Sequence, residues 1–266
     1  MTTSSTRVVT LNCAVALLTR AHFLEVLRRR EFYALLLLMG LYLVGALLVR
    51  IVGVEDPATG AFVLNLGLSL AFFFGHLMAL LFAVRALPDE IEARTIYPVL
   101  AKPVARHHFI LGKWFAAWVA GVFTTFTLLL LCWLPAPYVA GLSPATFAQA
   151  VMLQMASLAM LAAMGILLSV WWPKSVNIVV LVLLLLAGHR ISAAVRGHLP
   201  ETTLGQCIDW IVRYIPDFGI LNLVDRYTDG IPPLPTLDVA LRLGYAVIVS
   251  AFCLGWACYS FYKRGL

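Results

Sequence analysis

Charged side chains are scarce in this chain. Asp, Glu, Lys and Arg together make up only 12% of the 266 residues, whereas 62% are hydrophobic and the mean hydropathy is +0.93. Soluble domains are about 25% charged and about 45–50% apolar, so this much apolar surface cannot be hidden in a core. The composition therefore excludes an ordinary soluble protein and indicates an integral membrane protein.

Several motifs are missing as well. No G-x-x-x-x-G-K-[ST] phosphate loop occurs, because Gly112-Lys113 is followed by Trp114 and lacks the upstream glycine. The five cysteines form no CxxC pair or zinc-like cluster. Neither a nucleophile–base constellation nor a paired intramembrane carboxylate is evident. We therefore expect no catalytic site, no metal site and no cofactor, and the N-terminus lacks the pattern of a cleavable signal peptide.

Six apolar stretches have about the length of a bilayer crossing. A membrane-spanning helix needs about 20 mostly apolar residues. The stretches that qualify are 32–54, 61–84, 114–133, 147–172, 175–195 and 239–262. No internal repeat or second domain is evident. We therefore expect residues 1–266 to form one all-α, polytopic membrane domain with six transmembrane helices.

The basic residues predict the orientation of these spans. Six spans put both termini on one side of the membrane, and 13 of the 19 Lys and Arg residues then fall on that side. Basic residues favour cytoplasmic segments. We therefore expect both termini to be cytoplasmic and the chain to lie in the inner or plasma membrane. The net charge of +6 then reflects topology and contact with membrane lipid, not a nucleic-acid partner.

Two segments outside the spans carry structure of their own. Residues 11–30 are imperfectly amphipathic and end in three arginines, which predicts an N-terminal interfacial helix. Residues 196–238 form a large external segment, in which apolar residues recur at helical spacing from Leu204 to Ile215. This segment could pack on the helix bundle, dip into the outer leaflet or meet an external partner, and the residues leave all three open.

The densest charge lies in residues 87–113, between the second and third spans. Pro88-Asp89-Glu90 is typical of a helix start, because acidic side chains favour the positive end of the helix dipole. Pro98 and Pro103 limit this helix to a few turns. A segment this charged must face water or a partner. It is either a short helix that docks into a soluble partner or a solvated loop at the membrane surface.

The residues of this insert resemble those of a known family. The pattern D-E-I-E-A-R-T-I-Y-P-V-L-A-K-P-V-A-R-x-x-F-I-L-G-K is similar to the cytoplasmic loop of ABC-2 type transporter permeases, in particular the NosY-like branch. The resemblance implies that the insert is a coupling helix, which binds a separate ATPase subunit. The residues that we expect to take part in this coupling are Asp89, Glu90, Glu92, Arg94, Thr95, Leu100, Pro103 and Arg106.

The same resemblance implies a non-catalytic permease subunit of an exporter. It would work as a homodimer with ATPase subunits and would move a substrate or act on a periplasmic or extracellular accessory protein. The alternatives are a secondary transporter, which would need intramembrane charge and often repeat symmetry, and a membrane scaffold without an ATPase. The substrate stays open.

Polar residues within the spans are the candidates for a substrate path. The three that we select are His76, Asn65 and Gln154. The alternative interpretation of each is hydrogen bonding between helices. The methionines of the fourth span, from Met152 to Met164, are typical of apolar packing and predict no metal path.

Overall fold

The computed structural model describes Arg28 and residues 30–52, 57–89, 106–133, 143–198 and 216–263. Within these ranges the chain forms helices and no strands, so the all-α prediction is confirmed there. The helices are α1 (Arg30–Ile51), α2 (Pro57–Arg85), α3 (Arg106–Trp133), α4 (Pro144–Trp171), α5 (Lys174–His198), α6 (Val224–Thr228) and α7 (Thr236–Lys263). The predicted interfacial helix at 11–30 falls almost entirely outside the described residues.

Five of these helices, α1, α2, α3, α4 and α7, are long and apolar enough to cross a membrane. The sixth predicted span, 175–195, coincides with α5, whose described apolar part runs from Lys174 to Leu186. Six crossings therefore stay a prediction, whereas five candidate spans are found. The helix α3 begins at Arg106 rather than near 114, because a helix continues beyond its apolar part wherever its backbone hydrogen bonds continue.

Contacts between helix termini group six helix ends together. The Glu31 carboxylate binds Arg85 at 2.9 Å and the Asp89 carboxylate binds Lys174 at 2.7 Å, which joins the start of α1, the end of α2 and the start of α5. The ring of Phe109, early in α3, stacks on Phe261, late in α7, with centroids 6.1 Å apart. The end of α4 lies here too, since only Trp172 and Pro173 separate it from α5. We call this the basic end of the bundle.

The helix α2 is the most buried of the five candidate spans, whereas α1 and α7 are mostly exposed. Its packing face is a row of small residues spaced four apart, which places them on one side of the helix. The row consists of Gly67, Ala71, Gly75, Ala79 and Ala83. Lipid chains are as apolar as leucine, so helices in a membrane associate mainly through close packing of this kind.

Neighbouring helices approach α2 too closely for larger side chains. A Cβ atom added to Gly121 of α3 would lie 2.7 Å from the Cβ of Ala79 and 3.1 Å from the carbonyl oxygen of Gly75. A Cβ added to Gly165 of α4 would lie 2.7 Å from the Cβ of Ala83. Contacts of this kind are shorter than van der Waals separation. The absence of a side chain at these glycines therefore sets how closely α2, α3 and α4 pack.

Two tryptophans of α3 add hydrogen bonds to this packing. The indole N–H groups of Trp114 and Trp118 donate to the carbonyl oxygens of Ala159 and Met155 in α4, each at 2.9 Å. The two indole rings stack with centroids 6.1 Å apart. These tryptophans therefore join two helices through the backbone of α4, in addition to any place they take at a membrane interface.

We predict that Gly121→Ala lowers the stability of the purified protein by about 1–3 kcal/mol, because the new methyl group overpacks the contact with Ala79. The measurement is thermal unfolding in detergent. Gly244→Ala in α7 is the matched control, since a Cβ there meets nothing within 4 Å. Equal unfolding temperatures for the two variants would contradict the importance of the close approach.

Candidate functional site

Most of the predicted coupling residues cannot be located. The predicted residues that lie outside the described part of the chain are Glu90, Glu92, Arg94, Thr95, Leu100 and Pro103. Of the predicted set, the structure describes Asp89 and the backbone of Arg106. Pro88 and Asp89 are helical after a turn at Ala86 and Leu87, and most of the helix predicted to start there lies outside the described residues. Arg106 is the first residue of α3.

Asp89 has a partner within the chain. Its Oδ1 lies 2.7 Å from Nζ of Lys174, and the two side chains are 44% and 30% exposed. Asp89 is predicted to take part in coupling to an ATPase, and the sequence gives no sign of this contact, because Lys174 is 85 residues further along the chain. The first acidic residue of the insert is thus attached to the start of α5.

The environment of Lys113 differs from the one that the sequence predicts. The charges of the insert are predicted to face water or a partner, and for Lys113 this prediction is wrong, since the residue is only 3% exposed. Its ammonium group lies 5.7 Å from the centroid of the Phe109 ring. A cation at this distance over an aromatic face is attracted to it. The reason for the burial is that α3 starts at Arg106, so that Lys113 lies two turns inside a packed helix.

His76 and Gln154 lie together at the centre of the bundle. Nε2 of His76 is 2.7 Å from Oγ of Ser157, and Nδ1 is 3.1 Å from Nε2 of Gln154 and 2.9 Å from the carbonyl oxygen of Phe72. The Gln154 amide also donates to that carbonyl oxygen at 3.2 Å. All three side chains are buried, with His76 only 7% exposed. We call His76, Gln154 and Ser157 the His76 cluster.

The hydrogen bonds of the His76 cluster join α2 to α4 whichever ring nitrogen carries the proton. When Nδ1 donates to Phe72, Nε2 accepts from the hydroxyl of Ser157. In the other tautomer Nδ1 accepts from the Gln154 amide and Nε2 donates to Ser157. His76 and Gln154 are predicted from the sequence, whereas Ser157 is not. A serine next to a histidine can form a nucleophile–base pair, but burial here favours the interhelical role.

Residues 216–235 lie between α5 and α7 in the sequence and pack against the bundle, and we call them the re-entrant segment. The edge of the Phe218 ring meets the His76 ring, with centroids 6.2 Å apart. The side chains of Leu221, Val224 and Leu234 are buried. Of the three arrangements that the sequence leaves open for the external segment, this part therefore packs on the bundle.

Asn65 binds the re-entrant segment. Its Nδ2 donates to Oδ1 of Asp225 at 2.9 Å and to Oγ1 of Thr228 at 2.8 Å. Asn65 and His76 are eleven residues apart on α2, which is about 16 Å along a helix. The segment therefore runs along α2 from the level of His76 to the level of Asn65. The three residues predicted to form a substrate path are thus divided between two sites.

Helices α4 and α7 hold the same segment from the other side. The amide of Gln149 donates to the carbonyl oxygen of Leu234 at 2.9 Å and accepts from its N–H at 2.8 Å. The hydroxyl of Tyr245 in α7 accepts from the N–H of Asp217 at 3.1 Å. Gly230, with a φ of +68°, forms the turn after α6, a conformation that glycine adopts without strain. Backbone groups carried into the bundle are satisfied by these side chains, as burial in an apolar environment requires.

Comparison with known proteins gives one result. The family model described as ABC-2 family transporter protein matches residues 6–266, which is almost the whole chain. A search of the curated proteins found no match. Within the described residues, no group of three or more His, Cys, Asp or Glu side chains could hold a metal ion.

We predict that His76→Ala and Ser157→Ala are energetically coupled, because each removes the partner of the other. Interhelical hydrogen bonds in membrane proteins couple by about 0.6 kcal/mol on average and by up to about 1.7 kcal/mol. A double-mutant cycle on unfolding in detergent measures the coupling. Ser169→Ala is the control partner, since Ser169 lies on α4 but bonds within its own helix, to Ile166. Coupling to Ser157 no larger than coupling to Ser169 would contradict the assignment.

We also predict that Gln149→Leu speeds hydrogen exchange at the amide of Leu234 by about tenfold, because the variant removes the acceptor of that N–H. Mass spectrometry of the protein in detergent measures the exchange. Met152→Leu, at an exposed position on the same helix, should leave the rate unchanged. A rate that responds equally to both substitutions would mean that Gln149 does not hold the segment.

Proposed function

The chain belongs to the ABC-2 family of transporter proteins, and from that premise we propose that it is an export permease driven by a separate ATPase subunit through residues 87–113. Family membership implies the membrane subunit of an ABC transporter, with an ATPase partner in the complex. Permeases of this family are generally non-catalytic membrane subunits. The apolar helices agree with a multi-pass membrane protein.

The observation that carries the proposal is the way the insert joins the bundle. Residues 87–113 connect α2 to α3, and these two helices pack closely where Gly121 meets Gly75 and Ala79. The first acidic residue of the insert, Asp89, is also paired with Lys174. A movement of the insert therefore reaches three helices at once. This is the property that a coupling element needs, and a solvated loop would not need it.

The finer parts of the proposal follow from the sequence. The pattern of the insert supports the NosY-like branch, and the distribution of basic residues supports cytoplasmic termini in an inner or plasma membrane. A homodimer gives each of two ATPase subunits one insert. An accessory protein on the far side would meet the part of residues 196–238 that is exposed, which includes Pro232 and Pro233.

The buried polar residues have a different role in this proposal. His76 binds both Gln154 and Ser157, and Asn65 binds the re-entrant segment. A substrate path through them requires these hydrogen bonds to open during the transport cycle. We therefore propose that His76, Asn65 and Gln154 hold the resting arrangement closed and meet substrate only after the re-entrant segment moves.

We predict that replacing Glu90 and Arg94 together by glutamine lowers the stimulation of ATP hydrolysis by about fivefold or more. The measurement uses the chain co-expressed and purified with its ATPase subunit and reconstituted in vesicles. Asp229→Asn is the control, because Asp229 is an exposed acidic residue next to α6, away from the insert. Stimulation that survives the double substitution would contradict coupling through the insert.

The alternatives give a different result in the same experiment. A secondary transporter or a membrane scaffold would neither bind an ATPase subunit nor alter its rate of hydrolysis. A complex that forms with the wild-type chain and hydrolyses ATP faster than the free ATPase therefore separates the permease from both.

A further inference from the structure

The connection between α4 and α5 is short and well bonded. The N–H of Trp172 donates to the carbonyl oxygen of Leu168 at 2.8 Å, at the end of α4. The N–H of Asn177 donates to the carbonyl oxygen of Pro173 at 3.1 Å, in the first turn of α5. Only Trp172 and Pro173 separate the two helices. A shift at the start of α5 is therefore a shift at the end of α4 as well.

Lys174 occupies an unusual position for a cation. It is the first residue of α5, and the N-terminal end of a helix carries partial positive charge, which disfavours lysine. The carboxylate of Asp89, 2.7 Å from its Nζ, supplies the negative charge that this helix end favours. The Asp89–Lys174 pair is thus the point where the charged insert meets α5.

A second contact ties the start of α5 to the interior of the bundle. The Nδ2 group of Asn177 donates to the carbonyl oxygen of Gly165 in α4 at 3.0 Å, and Asn177 is fully buried. Gly165 is also the residue whose missing side chain allows Ala83 of α2 to approach. The ends of α2 and α4 and the start of α5 are therefore in mutual contact, and the Asp89–Lys174 pair adds an ion pair on the side of the insert.

We propose that Lys174 is a positioning residue that transmits movement of the insert to α5, and through α5 to the re-entrant segment that follows it. This rests on the proposed function, in which an ATPase subunit moves residues 87–113. Transmission then has two routes. One runs along α2 and α3, to which the insert is covalently joined, and the other crosses the Asp89–Lys174 pair.

The exposure of the pair sets the size of the expected effect. Both side chains are partly exposed, at 30% for Lys174 and 44% for Asp89. Ion pairs of this kind change an equilibrium by about 1.4- to 5-fold. The contact is therefore weak enough to break and re-form in each cycle, and its loss should reduce coupling without preventing folding.

The test uses the complex of the chain with its ATPase subunit in vesicles. The variants are Lys174→Gln, Asp89→Asn, Lys174→Arg and the reversed pair Asp89→Lys with Lys174→Asp. Stimulation of ATP hydrolysis, co-purification of the ATPase subunit and thermal unfolding are measured for each. Glu90→Gln with Arg94→Gln serves as the reference for a damaged insert.

We expect Lys174→Gln and Asp89→Asn to lower stimulation by about 1.4- to 5-fold, with co-purification unchanged for Lys174→Gln and both variants still folded. Lys174→Arg and the reversed pair should restore at least half of the lost stimulation, because both keep an ion pair across this contact. Full stimulation in Lys174→Gln, or no recovery in both rescue variants, overturns the proposal for Lys174. Failure of the wild-type chain to bind or stimulate an ATPase subunit overturns the proposed function, and the proposal for Lys174 with it.

Discussion

Close packing of helices around α2 is the constraint on which the rest of the structure depends. In lipid there is little hydrophobic gain when two apolar helices meet, so they associate through van der Waals contact and interhelical hydrogen bonds. The row of small residues from Gly67 to Ala83 provides the van der Waals contact, because it brings the backbones of α3 and α4 close to α2. The interhelical hydrogen bonds depend on this close packing. Only at this separation can Ser157 and Gln154 of α4 reach His76, and only here can indole groups of α3 reach carbonyl oxygens of α4.

Several polar side chains inside the described part of the bundle are bonded to the protein itself. The His76 cluster, Asn65 and Gln149 all bind either another helix or the re-entrant segment. In this arrangement the Phe218 ring of the re-entrant segment lies against His76. The polar residues that appear in the sequence as candidates for a transport path have a structural use in this state.

The sequence predicts the positions of the five candidate spans well, but it predicts the contacts between the helices poorly. Hydropathy locates the helices because the bilayer imposes both length and composition, although α3 extends eight residues before its predicted start at 114. The four-residue spacing of Gly67, Ala71 and Gly75 was a readable signal of the packing face. Ser157 was not readable as the partner of His76, since the two are 81 residues apart and any helix facing could have paired them differently. The partner of Asp89 is equally hard to predict, because Lys174 lies 85 residues further along the chain. Most of the coupling residues lie outside the described ranges, so the predictions for them remain predictions.

Because α2 is long, a small tilt of this helix can produce a large displacement at one of its ends. A helix of 29 residues is about 43 Å long, and Arg85 at one end lies near the insert while Pro57 lies at the other. A helix braced near its middle by Gly75 and Gly121 would act as a rigid rod about that point. One that tilts about its Arg85 end by about 5° displaces Pro57 by about 4 Å, roughly the width of a side chain. The position of the pivot thus determines how large the displacement of one end of α2 is relative to that of the other end.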